Sequence, residues 1–274
     1  METLQSGRDE MNLAEFPIAL LSERVPARMK ILEFEGQHGK LTVRGGDGLG
    51  LPTAHDTDVI IGLLQLTKTH NNFTDPTVPF TPHSLINLMG WPNQGHYYKR
   101  LRDSLHRWMG TTLFYQGAWF DKALSCRIDA SMHILDNVVI FDGEIRRNLR
   151  VKQQTLPTST FTWGKRFFQS CQDGNLKRLD VGIYFGLRSA VSKQVYRYLD
   201  KRFYIKPDWT FDLREFGFGH VGLSRNYSDS KLKEKLKPAI EELKAIGFLK
   251  SATYASLKKG SWTIRLIGND RVSA

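Results

Sequence analysis

Along residues 231–249, KLKEKLKPAIEELKAIGFL, apolar side chains recur at Leu232, Leu236, Ile240, Leu243 and Ile246. That is the spacing of one helix face. The predicted helix carries Pro238 in its interior, where a proline removes a backbone donor and crowds the preceding turn, at a cost of roughly 3 kcal/mol. Tertiary packing through both flanking turns is expected to hold such a bent helix together. Residues 247–267, GFLKSATYASLKKGSWTIRLI, then alternate apolar and polar about a Lys-Lys-Gly turn, which predicts a hairpin.

The same order is legible earlier. In 80–116, Thr81 caps a short helix with Pro82 at its first position, and Leu85, Ile86, Leu88 and Met89 form its apolar face. Gly90 and Pro92 stop it. After a turn, Tyr98, Leu101, Leu105, Trp108 and Met109 recur at helical spacing, with Lys99, Arg100, Arg102, His106 and Arg107 opposite. A short helix, a turn and a longer basic helix make a helix-turn-helix pattern. The strand-like segments TTLFYQ, SCRIDASMHIL and NVVIFDG come next, as the elaborated wing of a winged helix would.

The remaining segments complete an α+β chain of two tandem winged-helix domains. Residues 1–15 read as a flexible tail, and 16–26 as a short helix or extended segment packed on the first domain. Residues 30–56 read as a hairpin ending in a glycine loop, and 57–70 as a buried helix capped by Thr57 or Asp56. The first domain spans 16–143, a polar, basic linker 144–160, and the second domain 161–274. In the second, FTWGKRFFQSCQ and SAVSKQVYRYLDKRFY read as helices and TFDLREFGFG as a short helix. The likeness between halves is one of plan, without a literal repeat.

Charge changes the picture more than composition does. The net charge of +11 points to a polyanionic partner, nucleic acid or an anionic membrane surface. No run approaches the roughly 20 apolar residues of a membrane span. The polar N-terminus is unlike a signal peptide, so the cytoplasm is the expected location. Cys126 and Cys171 belong to no metal-ligand pattern and read as core thiols.

DNA contact is expected first at Lys231, Lys233 and Lys235, on the leading half of a helix whose acidic pair Glu241 and Glu242 trails away from phosphates. A solvated face with Glu–Lys pairing is the rival reading. Arg225 and Asn226 lie just before it, with groups able to bond phosphates or base edges. Lys258 and Lys259, at the hairpin tip, reach a phosphate or the minor groove, although such turns also occur in proteins that never touch DNA. In the first half, Tyr97, Lys99, Arg100 and Arg102 open the basic helix.

Catalytic signals are poor. RGGDGLGLP (44–52) lacks the Gly-Lys-Ser/Thr ending of a phosphate-binding loop and reads as a flexible loop. Tyr196 and Tyr198 read as core residues rather than nicking nucleophiles, because no His-apolar-His triplet accompanies them. His133 reads as structural. A non-enzymatic chain without cofactor or metal is expected. A transcriptional regulator with the same domains, or a nuclease, are the rivals.

The segments SAVSKQVYRYLDKRF, FDLREFGF and SDSKLKEKLKPAIEELKAIGFL, with Leu236, Pro238, Ala239, Ile240 and Glu242, resemble plasmid replication initiators with winged-helix domains. VPARMKILEF and TPHSLINLMGWPNQGHYYKRLRDSLHRW are similar to the replication initiator protein A branch, and the resemblance covers roughly 16–265. It implies binding to direct repeats (iterons) in double-stranded DNA at an origin, opening of an adjacent AT-rich tract, and recruitment of host initiator and helicase proteins. It also implies repression of the chain's own promoter, with monomer and homodimer forms doing different jobs.

Overall fold

Charged residues, not apolar ones, build the first strand. The computed structural model describes residues 6–26, 29–141, 158–257 and 260–269. In it β1 (Ser6–Glu10) pairs antiparallel with β9 (Leu176–Asp180), Arg8 lying opposite Arg178. Asp9 and Glu10 are fully buried, and Leu13, Ala14 and Phe16 follow them into the core. This corrects the flexible tail expected over 1–15 from Ser6 onward. Burial is possible because each acid meets buried donors: Arg197 and Lys177 for Asp9, Ser170 and Asn175 for Glu10.

The first half is organised around α1 (Ala54–Asn71), whose Val59, Ile60, Ile61, Leu63 and Leu64 have no exposed surface. Its cap is Thr53, with the Asp56 carboxylate accepting from the Thr53 backbone N–H at 2.6 Å, not Thr57 or Asp56 itself. Strands β2 (Ile31–Gly36), β3 (Gly39–Arg44), β5 (Thr112–Asp121) and β6 (Cys126–Met132) form an antiparallel sheet in that order. Between β3 and β5 lie α1, β4 (Thr77–Phe80), α2 (Pro82–Leu88) and α3 (Gly95–Gly110).

A second small sheet runs β4-β8-β7, where β7 is Leu135–Val139 and β8 Ser159–Trp163. The FTW segment, read as the start of a helix, is therefore a strand, and it belongs to the first-half sheet rather than to a domain beginning at 161. Trp163 Nε1 fixes it by donating to Thr67 Oγ1 on α1 at 2.8 Å. Of the linker expected at 144–160, residues up to 157 lie outside the described residues, and Ser159 and Thr160 are already in β8.

The second half begins with α4 (Lys165–Gln172), β9 and α5 (Val181–Gly186). Then come α6 (Ala190–Phe203), β10 (Asp208–Asp212), a π-helical segment (Glu215–Val221), α7 (Asp229–Ala245), β11 (Leu249–Ser256) and β12 (Trp262–Gly268). The last sheet runs β10-β12-β11. TFDLREFGFG, expected to be helical, thus splits into strand and π-helix. The π-helix docks on the first half through Gly219, where a Cβ would lie 2.3 Å from the Glu35 carbonyl oxygen. Only glycine permits that approach.

In α7, Leu232, Leu236, Ala239, Ile240 and Leu243 are buried, whereas Ile246 caps the helix and is 45% exposed, so it leaves the expected stripe. Pro238 is exposed. The carbonyl it deprives of a partner therefore faces water, which explains how the helix passes through it. Cys171 is buried as expected, but Cys126 is exposed at the start of β6. No helix among the described residues is long and apolar enough to cross a membrane.

Candidate nucleic-acid interface

The turn before α3 is held rigid by side chains. Asn87 Nδ2 donates to His83 Nε2 at 2.9 Å, which leaves His83 Nδ1 to donate to the Tyr98 hydroxyl at 3.0 Å. That hydroxyl donates in turn to Asn93 Oδ1 at 2.8 Å. The far end of α3 is clamped to the start of α1: Arg107 Nε and Nη2 donate to the two Asp56 oxygens at 2.9 and 2.8 Å, and Trp108 Nε1 to the Asp56 carbonyl at 2.7 Å. With Leu101, Leu105 and Trp108 buried beneath, one stripe of α3 is left facing solvent.

That stripe is Lys99, Arg102 and His106, at i, i+3 and i+7, all exposed. The other two expected contacts are turned aside. The Arg100 guanidinium lies 5.2 Å from the Tyr97 ring centroid and 6.0 Å from that of Trp91, with Nη1 3.4 Å from His55 Nε2. Tyr97 is half-buried beneath it. Helical spacing would have added His106 to the expected set; nothing in the sequence announced the Trp91 platform that draws Arg100 away.

The lysines of α7 do not share a face. Residues two apart stand about 200° round a helix, so Lys231 and Lys235 edge one side and Lys233 and Lys237 the other. Ser228 caps the helix, and Arg214 Nε donates to Asp229 Oδ1 at 2.7 Å. Lys231 Nζ donates to Glu234 Oε1 at 2.7 Å, a bond that holds the Glu234 carboxyl below its ordinary range. Lys237 lies 3.7 Å from Glu241. Lys235 is exposed, with no ion pair among the described residues.

Lys233 turns toward the hairpin. Its Nζ sits 2.7 Å above the Trp262 ring centroid on β12 and 5.5 Å from that of Tyr254 on β11. It ties helix to hairpin through a cation–π contact. Arg225 and Asn226 are exposed in the turn that leads into α7. Lys258 and Lys259 lie outside the described residues.

The two hairpins differ. That of β11 and β12 extends from the foot of α7. That of β5 and β6 is anchored at its end: Asn12 accepts from the Phe120 N–H at 2.8 Å and donates to its carbonyl at 3.1 Å. Lys122 Nζ donates to the Gly174 carbonyl at 2.6 Å, and Arg166 Nη2 to Asp121 Oδ2 at 2.6 Å.

The sequence profile of the family described as Replication initiator protein A matches residues 8–226. The chain belongs to that family. The match begins within β1 and runs through the π-helix to the turn before α7. The fold is shared with crystal structures of domains 2 and 3 of RctB. One matches with a TM-score of 0.60 at 14% identity, over 94% of this chain and 98% of that one. Another matches with a TM-score of 0.53 at 16% identity, over 94% and 97%. A search of curated proteins finds no match.

Proposed function

We propose that this replication initiator protein A chain binds duplex DNA at direct repeats of an origin, through two winged-helix units. In this reading α2 and α3 form one helix-turn-helix, and the π-helical segment and α7 form the other. The observation that carries it is a pair of exposed lysines at the leading parts of α3 and α7, Lys99 in one and Lys235 in the other. Neither has an ion pair among the described residues, and each helix runs directly into a hairpin. Arg102, His106, Lys231, Arg225 and Asn226 extend the two surfaces. Opening of AT-rich DNA, recruitment of host initiator and helicase proteins, repression of its own promoter and pairing into a homodimer belong to the same reading. The anchored first hairpin makes the second the wing that reaches DNA.

The chain acts in this reading without catalysis, cofactor or metal. What supports it is that Tyr196 and Tyr198, the candidate nicking nucleophiles, are 2% and 1% exposed. Footprinting on the DNA flanking the gene tests the proposal: protection of repeated sequence at moderate salt is expected, and protection of none overturns it. Magnesium-dependent nicking of supercoiled DNA by the pure chain overturns the non-catalytic part.

A further inference from the structure

On the seam between the halves lies a cleft of about 570 Å³, walled by β1, β9, the end of the first hairpin and the end of α6. Seven lysines and arginines line it and a single carboxylate, Glu15. Glu15 is already engaged by Lys201 and Arg202, at 2.5 and 2.6 Å. Lys177 pairs with Asp9 and Asp200, which leaves Arg8, Lys122, Arg127 and Arg178 without a carboxylate partner among the described residues. Arg8 and Arg178 are directly opposite across the β1–β9 ribbon. Like charges so placed destabilise a strand pair, and here nothing in the described chain relieves them. Lys68, close by, has its ammonium pKa pushed down by burial and by these same two arginines. At the mouth of the cleft Tyr204 and Ile205 are 76% and 64% exposed.

We propose that this cleft is a second ligand site, one that takes the phosphates of a nucleotide with the base against Tyr204. A cleft lined by one sign of charge concentrates the opposite ion, and guanidinium forks match phosphate oxygens. The volume lies within the roughly 300–1,000 Å³ of sites that enclose small ligands, too small to admit a duplex. An exposed aromatic ring beside a basic groove is the arrangement on which single-stranded bases stack. The phosphates come either from a single strand of DNA or from a free nucleoside polyphosphate. The site shares no residue with the surfaces of α3 and α7 and does not depend on how those bind duplex DNA.

The test is fluorescence anisotropy on the full chain with two probes, a fluorescein-labelled dT 12-mer and a fluorescent ATP analogue. The double variant R8Q/R178Q is expected to keep or raise the melting temperature, since it removes a like-charge pair, and to weaken the bound probe at least tenfold. For the oligonucleotide, the salt slope should drop by about 1.4, from about 0.7 for each of two lost contacts. Y204A should weaken the same probe by about fivefold or more, whereas K99A/R102A should leave it within threefold. If R8Q/R178Q fails to fold, the single variant R178Q at the exposed member of the pair provides the same reading. Binding of the 12-mer alone identifies a strand site, and binding of the ATP analogue identifies a free-nucleotide site. If neither probe binds, or both bind the arginine variants as well as the parent, the proposal is overturned, whatever the footprint shows.

Discussion

Arg197 on α6 is fully buried and donates from Nε and Nη2 to the two oxygens of Asp9 on β1, at 2.9 and 2.8 Å. Lys177, itself buried, lies 3.5 Å from Asp9 and 2.6 Å from Asp200. One strand near the N-terminus is thus fastened to the central helix of the second half by ions that water cannot reach. Removing one partner of such a pair strands the other charge in the interior, at a cost of about 3–5 kcal/mol. D9N is therefore expected to lower the unfolding free energy by that amount in urea titrations. A chain lacking residues 1–10 should not fold cooperatively. A truncated chain that melts like the parent would show the strand to be dispensable.

Glu15 is one carboxylate whose ion pairs tie stability to acid. Burial alone would raise its pKa, but Lys201, Arg202 and His220 outweigh it and hold the carboxyl down at about 2. A depressed carboxylate contributes stability that is present above its unfolded value, near 4.5, and is lost as pH falls toward 2. At 1.36 kcal/mol per unit this is on the order of 3 kcal/mol. E15Q should melt lower than the parent at pH 7, because two cations lose their partner. Its melting temperature should then fall less steeply between pH 4.5 and 2.5. Parallel pH profiles would assign the acid sensitivity to other carboxylates.

These two relationships also explain what sequence reading reached and what it missed. Helices α1, α3 and α7 were legible because Val59–Leu64, Leu101–Trp108 and Leu232–Leu243 repeat at helical spacing. Strand β1, SGRDE, was not, since its burial depends on Arg197 and Lys177, which lie far along the chain. Strands β8 and β10 are too short and aromatic for alternation to separate from a helical turn. At the candidate site, the exposure of Lys99, Arg102, Arg225 and Asn226 came from pattern. The capture of Arg100 by Trp91, and of Lys233 by Trp262, came from tertiary packing that no local spacing encodes.

Lys233 and Lys235 should therefore separate. Removing Lys235 is expected to weaken duplex binding and lower the salt slope by about 0.9, the effect of one lost phosphate contact. Removing Lys233 should act mainly on stability, by about 0.5–2 kcal/mol from the lost cation–π contact with Trp262. Thermal melts and binding isotherms of K233A and K235A at several salt concentrations check this. Equal losses of affinity in both variants would return Lys233 to the interface.

Pro238 lies on the exposed side of α7, while Leu236, Ala239 and Ile240 keep the opposite side packed through the same turn. The proline thus costs a backbone bond without disturbing the buried stripe. Alanine restores the N–H, and with it the bond to the Glu234 carbonyl, and it favours the helix by up to about 3 kcal/mol. Solvation of that carbonyl in the parent reduces the gain, so P238A should raise stability by about 1–2 kcal/mol. Duplex affinity should stay within twofold, because Lys231 and Lys235 precede the proline and their turns are fixed by the Ser228 cap and by Leu232 and Leu236. A stabilised P238A with several-fold weaker binding would mean instead that the proline aims the leading turns at DNA.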